Sequence, residues 1–456
     1  MTTDVSFASS GTHVLMITNL GLHEWNVTPG LPDTGGQNIY VNQFTEALVE
    51  RGCLVTIVNR GGYLHPVTGS PQTGTVCHSS GRSRIMYIED GIPSFVRKED
   101  MYEHVPALVA DLHAKLAAED RGYDLIISHY WDAGMIGAAL NDTSRVRVPH
   151  VWIPHSLGTL KKKNMDPSTW PELRIDERIE HEKLVLHRVD GAVATSSVIE
   201  NALVEDYGYR PQYLLPPCVD TARYHPRSRD GCAGIWGFLA GHSTRSAAEL
   251  QMRQIITEVS RTDHTKRKDV LIRAFARVRD RVPGVLLVLT LDERAGRPYE
   301  AAMALIRDLG LERDVVVVGS VWEQLPCLYA VSSVYCTPSV MEGFGMSAQE
   351  AAATGVPVVA SDLVPFVREH LLGPFPQRVP LDGELAGDLL LGDGAIVVPA
   401  DEVDGFAQAI TILLSDSDRR TAMGGAARDI TVPHFTWARR TKDLLDDLGI
   451  VPRPWE

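Results

Sequence analysis

Two doubly wound α/β domains facing across a cleft are the architecture predicted here, and three observations carry it. The chain has 456 residues, too many for one ordinary core and enough for two of similar size. Short β-rich apolar runs alternate with helical patterns, which is how parallel strands joined by crossover helices read. The alternation stops at Leu215-Pro216-Pro217 and a polar stretch over 225–245, then starts again. Because Pro-Pro interrupts regular structure, the linker is placed near 217–222, giving a first domain over 1–218 and a second over 219–435.

Strands in the first half are expected at VLMIT (14–18), LVTIV (54–58), RIMYI (84–88), DLIISHY (124–130), PHVWIPH (149–155) and GAVATS (191–196). Between the first two, Tyr40, Phe44 and Leu48 recur at helical spacing behind Gly35-Gly36, and Gly52 supplies a stop. The second half repeats the grammar with QIITEVS (254–260), GVLLVLTL (284–291), DVVVVGS (314–320), SVYCTPS (333–339) and PVVAS (357–361). A last helical segment, TWARRTKDLLDDLGI, within 436–456, is expected to pack back on the first domain. In open α/β sheets ligands bind at the carboxyl ends of strands, so two facing sheets would line one crevice with residues of both halves.

Hydrophobic residues at 44% and charged residues at 22% match soluble globular chains and exclude collagen, coiled coil and disorder. A net charge of -14 argues against a nucleic-acid partner but leaves room for a local basic pocket that binds a small phosphate. The cysteines (Cys53, Cys77, Cys218, Cys232, Cys327, Cys336) show no CxxC pair and no zinc spacing, so free thiols in a reducing compartment are expected. No signal-peptide pattern is present, and no apolar run reaches the roughly 18 residues of a membrane span. A cytoplasmic protein without a membrane partner and without a metal site is therefore expected.

Four blocks carry chemistry. In SVMEGFGMSAQEAAATGVPVVASD (339–362), Glu342 and Glu350 flank a Gly343-Phe344-Gly345 turn with a helix from about Met346. Glycines at a helix start leave N–H groups for an anion, and the carboxylates can hold sugar hydroxyls. In VSRTDHTKRKDVLIRAF (259–275), Arg261 and Lys266 straddle a turn and could clamp a diphosphate, stabilising a leaving group without a metal; a solvated basic turn is the plainer alternative. The glycine pair in LPDTGGQNIYVNQFTEAL (31–48) is no GxGxxG fingerprint, which argues against a nicotinamide-dependent oxidoreductase. Finally, SHYWDAG (128–134) precedes VWIPHSLGTLKKKNM (151–165), where His155 ends an apolar strand. Arg97-Lys98, Lys161-Lys162-Lys163 and Arg178 add basic charge to the same half, although such runs also serve as solvated faces.

Together these blocks resemble family-4 retaining glycosyltransferases of GT-B fold, over about residues 13–445. The resemblance implies that Glu342 contacts the donor hexose, that Glu350 holds the nucleotide ribose, and that the amides of Phe344, Gly345, Met346 and Ser347 line the sugar-diphosphate. It implies that Arg261 and Lys266 hold the leaving diphosphate, with Lys268 as an alternative because Arg267 stands where a small residue or Asn is common. Gly35 and Gly36 would bring amides to the diphosphate, and His155 would hydrogen-bond the hexose. SHYWDAG, DERIEHEKL (176–184) and FVRKEDMY (95–102) are similar to blocks of sucrose-phosphate and mannosylfructose-phosphate synthases. That likeness places Gln37, Lys98, Asp132, Lys161 and Arg178 on the acceptor side. Segment 363–395 departs from the Gly-Gly loop common in sucrose-phosphate synthases. The implied reaction moves a hexose from UDP-glucose or GDP-mannose to a small acceptor, a sugar phosphate such as fructose 6-phosphate, with no cofactor beyond the nucleotide sugar. A non-phosphorylated acceptor is one alternative and a non-catalytic nucleotide-sugar sensor another. A sugar phosphorylase is disfavoured, since no pyridoxal-phosphate lysine context is recognisable.

Overall fold

The computed structural model describes residues 7–8, 10–19, 21–27, 31, 34–119, 121–144, 146–319, 321–381 and 387–453. Pro32 and Asp33 of the glycine-pair loop, Ser320, and residues 382–386 of the 363–395 segment lie outside the described residues. The chain divides into two compact units, Met1–Pro217 with Trp437–Glu456, and Cys218–Thr436.

The first unit is built on strands β1 (Thr12–Thr18), β2 (Cys53–Arg60), β3 (Thr75–Cys77), β4 (Ser83–Ile88), β5 (Leu125–His129), β6 (His150–Ile153), β7 (Gly191–Ala194) and β8 (Tyr213–Leu214), in the sheet order β3-β4-β2-β1-β5-β6-β7-β8. Helices α1 (Gly36–Glu50), α2 (Val105–Ala118), α3 (Tyr130–Thr143), α4 (Gly158–Asn164), α5 (Ile175–Leu186) and α6 (Ser197–Tyr207) connect them. Every residue of β1, β2, β4 and β5 is buried, which is why these strands read as continuous apolar runs rather than as alternations. The order reverses direction between β1 and β5, the place where such sheets bind ligands.

The second unit contains β9 (Gln254–Glu258), β10 (Val285–Thr290), β11 (Val315–Val318), β12 (Val334–Thr337), β13 (Val358–Ser361), β14 (Gln377–Pro380), β15 (Asp388–Leu391) and β16 (Ala395–Val398), in the order β11-β10-β9-β12-β13-β16-β15-β14. Its helices are α7 (Ala233–Ala240), α8 (Ala247–Gln251), α9 (Lys268–Arg281), α10 (Arg297–Asp308), α11 (Leu325–Val331), α12 (Met346–Ala353), α13 (Val403–Ser415) and α14 (Ser417–His434). Successive strand residues feed opposite cores: Ile255, Leu286 and Tyr335 pack with α7, α11 and α12, while Ile256, Leu287 and Cys336 pack with α9, α10 and α13. Both faces of the sheet are therefore covered, as a doubly wound Rossmann-like domain requires. Its switch point lies between β9 and β12.

Helix α15 (Trp437–Asp447) belongs to the first unit. Trp437 stacks on Phe44 with ring centroids 5.6 Å apart, meets Tyr40 edge-on at 4.7 Å, and donates its indole N–H to Gln43 Oε1 at 2.9 Å. The i, i+4 face of α1 that marks it as a helix is thus the face that α15 covers.

The strands read from the sequence pair in parallel, and further strands add antiparallel pairing: β3 on β4, and β14, β15 and β16 among themselves. The outer strands β3 and β14 are exposed or half-buried and so lack an apolar run to be read. The stretch 225–245, expected only as a polar break in the alternation, is not without structure or apolar burial: it contains α7, whose Ile235, Trp236 and Leu239 are buried. Nor are all six cysteines free: Cys232 and Cys327 form a disulfide across 95 residues, a pairing no local spacing could signal, while Cys53, Cys77, Cys218 and Cys336 are thiols. Among the described residues no helix is long and apolar enough to cross a membrane.

Candidate active site

At the switch point of the second unit, the turn His264–Lys266 after β9 meets the loop after β12, and the Val340 N–H donates to the Thr265 carbonyl at 2.9 Å. Lys266 Nζ lies 2.5 Å from Glu342 Oε1 and 3.3 Å from the Met341 carbonyl, with the lysine only 6% exposed. Lys268, the alternative, is spoken for: its Nζ is buried against Glu258 Oε2 at 2.5 Å and Ser260 Oγ at 3.0 Å. Desolvation of that ammonium costs enough to tie it to its carboxylate, so Lys266 is the lysine brought to Glu342. Arg261 is not drawn in; its side chain is 84% exposed and pairs with Asp263 at 3.5 Å.

Gly345 caps α12 at φ 111°, and a Cβ there would stand 2.7 Å from Val364 Cγ1, so both conformation and space require glycine. No side chain caps α12, and its first-turn N–H groups, including those of Met346 and Ser347, have no acceptor within the helix, which makes the helix start suited to an anion. Ser347 Oγ accepts from Tyr335 Oη at 2.7 Å. Phe344 is buried; its ring packs 5.4 Å from Phe366, and its carbonyl accepts from the Phe366 N–H. Glu350 faces Tyr329, whose hydroxyl donates at 3.1 Å. Burial pushes the Glu350 carboxyl up to about 7, against the pull of Tyr329, Tyr224 and Arg223.

In the first unit the ends of β1, β5 and β6 converge. His155, two residues past β6, adopts φ 56°, in the left-handed region. Its Nε2 lies 2.8 Å from His129 Nδ1, the two rings stack at 5.1 Å, and Tyr40 meets His155 edge-on at 4.8 Å. Burial drives His155 down to about 3 and, with His155 beside it, His129 well below its ordinary range, so the pair is neutral and one ring donates to the other. Asp132, in the first turn of α3, is buried with Oδ1 lacking a partner among the described residues. Burial raises its carboxyl to about 6, opposed by backbone N–H groups and the Asn19 amide.

Gln37 Nε2 donates to Thr18 Oγ1 at 3.3 Å, which holds the start of α1 to the end of β1. The Gly35 N–H donates to Asn38 Oδ1 at 2.9 Å, so that amide is engaged in capping rather than open to a diphosphate. A Cβ on Gly35 would meet nothing within 4 Å, and the protein itself gives no steric reason for glycine there.

A pocket beside these strand ends is lined by the cations Lys98, Lys161, Arg174 and Arg178, by the carboxylates Glu99 and Glu177, and by Tyr130 and Trp131. Burial, then the neighbouring Arg178 and Lys98, lowers the Lys161 ammonium to about 8. Lys98 sits 3.5 Å from Glu99. Arg178 is 5% exposed and acts as a bracket, donating to Glu182 Oε1 at 2.7 Å, Tyr130 Oη at 2.5 Å and the Ser156 carbonyl at 2.6 Å. It thereby holds the residue next to His155. Lys162 and Lys163 turn away to Asp176 and Asp206, and Arg97 pairs with Asp100.

Residues 34–223 match the family described as Glycosyltransferase Family 4, and residues 243–430 the one described as Glycosyl transferases group 1. A mannosylfructose-phosphate synthase of Agrobacterium fabrum is 30% identical over 351 residues, spanning 73% of this chain and 72% of that protein. The chain belongs to the group 1/family 4 glycosyltransferases. This glycosyltransferase is also 30% identical over 430 residues to a D-inositol 3-phosphate glycosyltransferase of Nocardia farcinica, covering 92% of the chain and 85% of the relative. Its GT-B fold is shared with the sucrose-phosphate synthase of Thermosynechococcus elongatus at a TM-score of 0.74 and 23% identity, over 96% and 98% of the two chains.

Sequence reasoning missed several site neighbours of the glycosyltransferase. His129 was visible as a strand-end histidine in SHYWDAG, and Arg174 as a base four residues ahead of Arg178. Tyr224 and Tyr329, which face Glu350 from far along the chain, left no local signal.

Proposed function

We propose that this glycosyltransferase moves a hexose, with retention, from UDP-glucose or GDP-mannose to a small phosphorylated sugar such as fructose 6-phosphate. The observation that carries the acceptor class is the pocket in the first unit, where Lys98, Lys161, Arg174 and Arg178 meet and Lys161 has no ion pair among the described residues. A desolvated, unpaired ammonium suits a phosphate dianion, whose charge restores what burial costs. The two relatives named above carry a phosphate in their names, as product in one and acceptor in the other.

The donor reading rests on the second unit. There Lys266, fixed by Glu342, and the uncapped start of α12 offer fixed positive charge to a diphosphate. In the proposed step the bond from the anomeric carbon to the diphosphate oxygen breaks, the acceptor oxygen bonds to that carbon on the same face, and its proton passes to the departing diphosphate. Glu342 and neutral His155 would hold hexose hydroxyls, and Glu350 the ribose. Asp132 and Gln37 would meet the acceptor, and Arg261 would close on the diphosphate from its exposed position.

Thermal stabilisation by UDP-, GDP- and ADP-sugars identifies the donor, and turnover with acceptors of either kind identifies the acceptor class. Lys161→Ala is expected to raise the KM for a sugar phosphate about tenfold or more, the worth of one charge-assisted contact, and to leave the donor KM unchanged. Equal turnover of fructose and fructose 6-phosphate would refute the phosphorylated acceptor.

A further inference from the structure

His181 lies on α5, inside the DERIEHEKL block from which only Arg178 was singled out, and lines the same pocket as Lys98, Lys161, Arg174 and Arg178. Its imidazole is clamped between two aromatic faces. Tyr102 stacks at 3.9 Å with the planes 14° apart, and Trp131, itself a pocket residue, at 5.0 Å and 24°. A ring covered on both faces keeps only its edge for polar contact, and its orientation is set before any ligand arrives. On that edge, Nδ1 is buried with no hydrogen-bond partner among the described residues, an arrangement that leaves a desolvated polar atom uncompensated.

We propose that His181 is a specificity residue for the acceptor, hydrogen-bonding its phosphate in this pocket while Tyr102 and Trp131 hold the ring. The proposal rests on the phosphorylated-acceptor reading above. The charged groups around the ring are Glu177, Glu180, Arg174 and Arg178 of the α5 region, Lys98 and Glu99 of the turn Lys98–His104, and Lys161 of α4. Burial lowers the imidazole first, Glu177 and Glu180 oppose it, and Arg174 adds to the lowering. In the free protein the ring is therefore neutral near pH 7, and a phosphate dianion against it favours the imidazolium. Phosphate binding then takes up one proton from solvent onto the ring, with no covalent bond changed.

The sign follows from that uptake. The contribution of His181 to phosphate binding is complete below the free-state pKa of the ring and is lost as the pH rises through the bound-state value. Phosphate itself loses its dianion on the acid side, so the readout is the ratio of variant to wild type at each pH.

The test is calorimetric titration of the full chain with fructose 6-phosphate and with inorganic phosphate, in two buffers of different ionisation enthalpy. Wild type, His181→Gln and Lys161→Ala are compared at about pH 6, 7 and 8, the range over which histidine titrates. Wild type is expected to take up more protons than His181→Gln, and the affinity loss of His181→Gln to shrink from about tenfold near pH 6 to about twofold or less near pH 8. A loss equal at every pH, with no change in proton uptake, would assign His181 a purely structural role and overturn the proposal. So would wild-type binding by His181→Gln while Lys161→Ala fails to bind, and in that case the phosphate pocket stands. Absence of binding of either phosphate to wild type removes pocket and proposal together. Should His181→Gln not fold, Tyr102→Leu, at a partly exposed position, releases one face of the ring and is expected to reduce both affinity and proton uptake; unchanged values would likewise overturn the proposal.

Discussion

Gly345 shows how one backbone position can hold a site in place. At φ 111°, with Val364 Cγ1 2.7 Å from any added Cβ, Gly345→Ala is expected to cost about 1–3 kcal/mol through strain and displacement of the α12 start. Denaturant melts should show the loss, and donor-induced thermal stabilisation should fall with it; a variant with wild-type stability would contradict the steric argument. Glu350 makes a prediction about pH. Its carboxyl, raised by burial to about 7 from an ordinary 4.5, keeps its proton in the folded protein where the unfolded chain has lost it. Stability should therefore fall as pH rises from about 4.5 through about 7, and Glu350→Gln should melt higher than wild type at about pH 8 but not at about pH 5. Parallel melting curves for the two proteins across that range would show that the carboxyl is ionised in the native state.

Between elements, a disulfide joins Cys232, at the head of α7, to Cys327 on α11. Helix α11 also carries Tyr329, the hydroxyl donor to Glu350, so the cross-link and the candidate ribose carboxylate share one support. Closing so long a loop restricts the unfolded chain, and Cys232→Ser is expected to lose about 2–4 kcal/mol of stability without reductant. With a thiol reductant the variant and wild type should coincide; a difference that persists would trace the effect to packing of Cys232, which is 2% exposed, rather than to the bond. The switch-point elements work by another route. The turn after β9 and the loop after β12 are tied by the Val340 N–H and the Ser339 hydroxyl, both donating to the Thr265 carbonyl, and these ties put Lys266 and Glu342 in register.

Over the whole molecule, Trp437–Glu456 groups with Met1–Pro217 rather than with Cys218–Thr436, which precedes it in the sequence. Removing residues 437–456 is therefore expected to destabilise the first unit, because Trp437, Leu444 and Leu445 are buried and each large side chain contributes about 1.5–3 kcal/mol. Hydrogen exchange should quicken in α1 and leave β9–β13 protected; loss of protection in the second unit instead would refute this view of α15. Legible in the residues alone were the two sheet-and-helix series, the glycine start of α1, the helix behind Gly345 and the basic and acidic motifs at strand ends. These are written in hydrophobic period and turn chemistry within a few residues of each other. Tertiary structure alone decided that Lys266 rather than Lys268 meets Glu342, that Arg178 turns inward as a bracket while Lys161 stays unpaired, that His129 partners His155, and that Cys232 finds Cys327. Each of those choices depends on which loop ends the sheet order brings side by side and on which charges burial forces into pairs, and neither is expressed in any short stretch of chain.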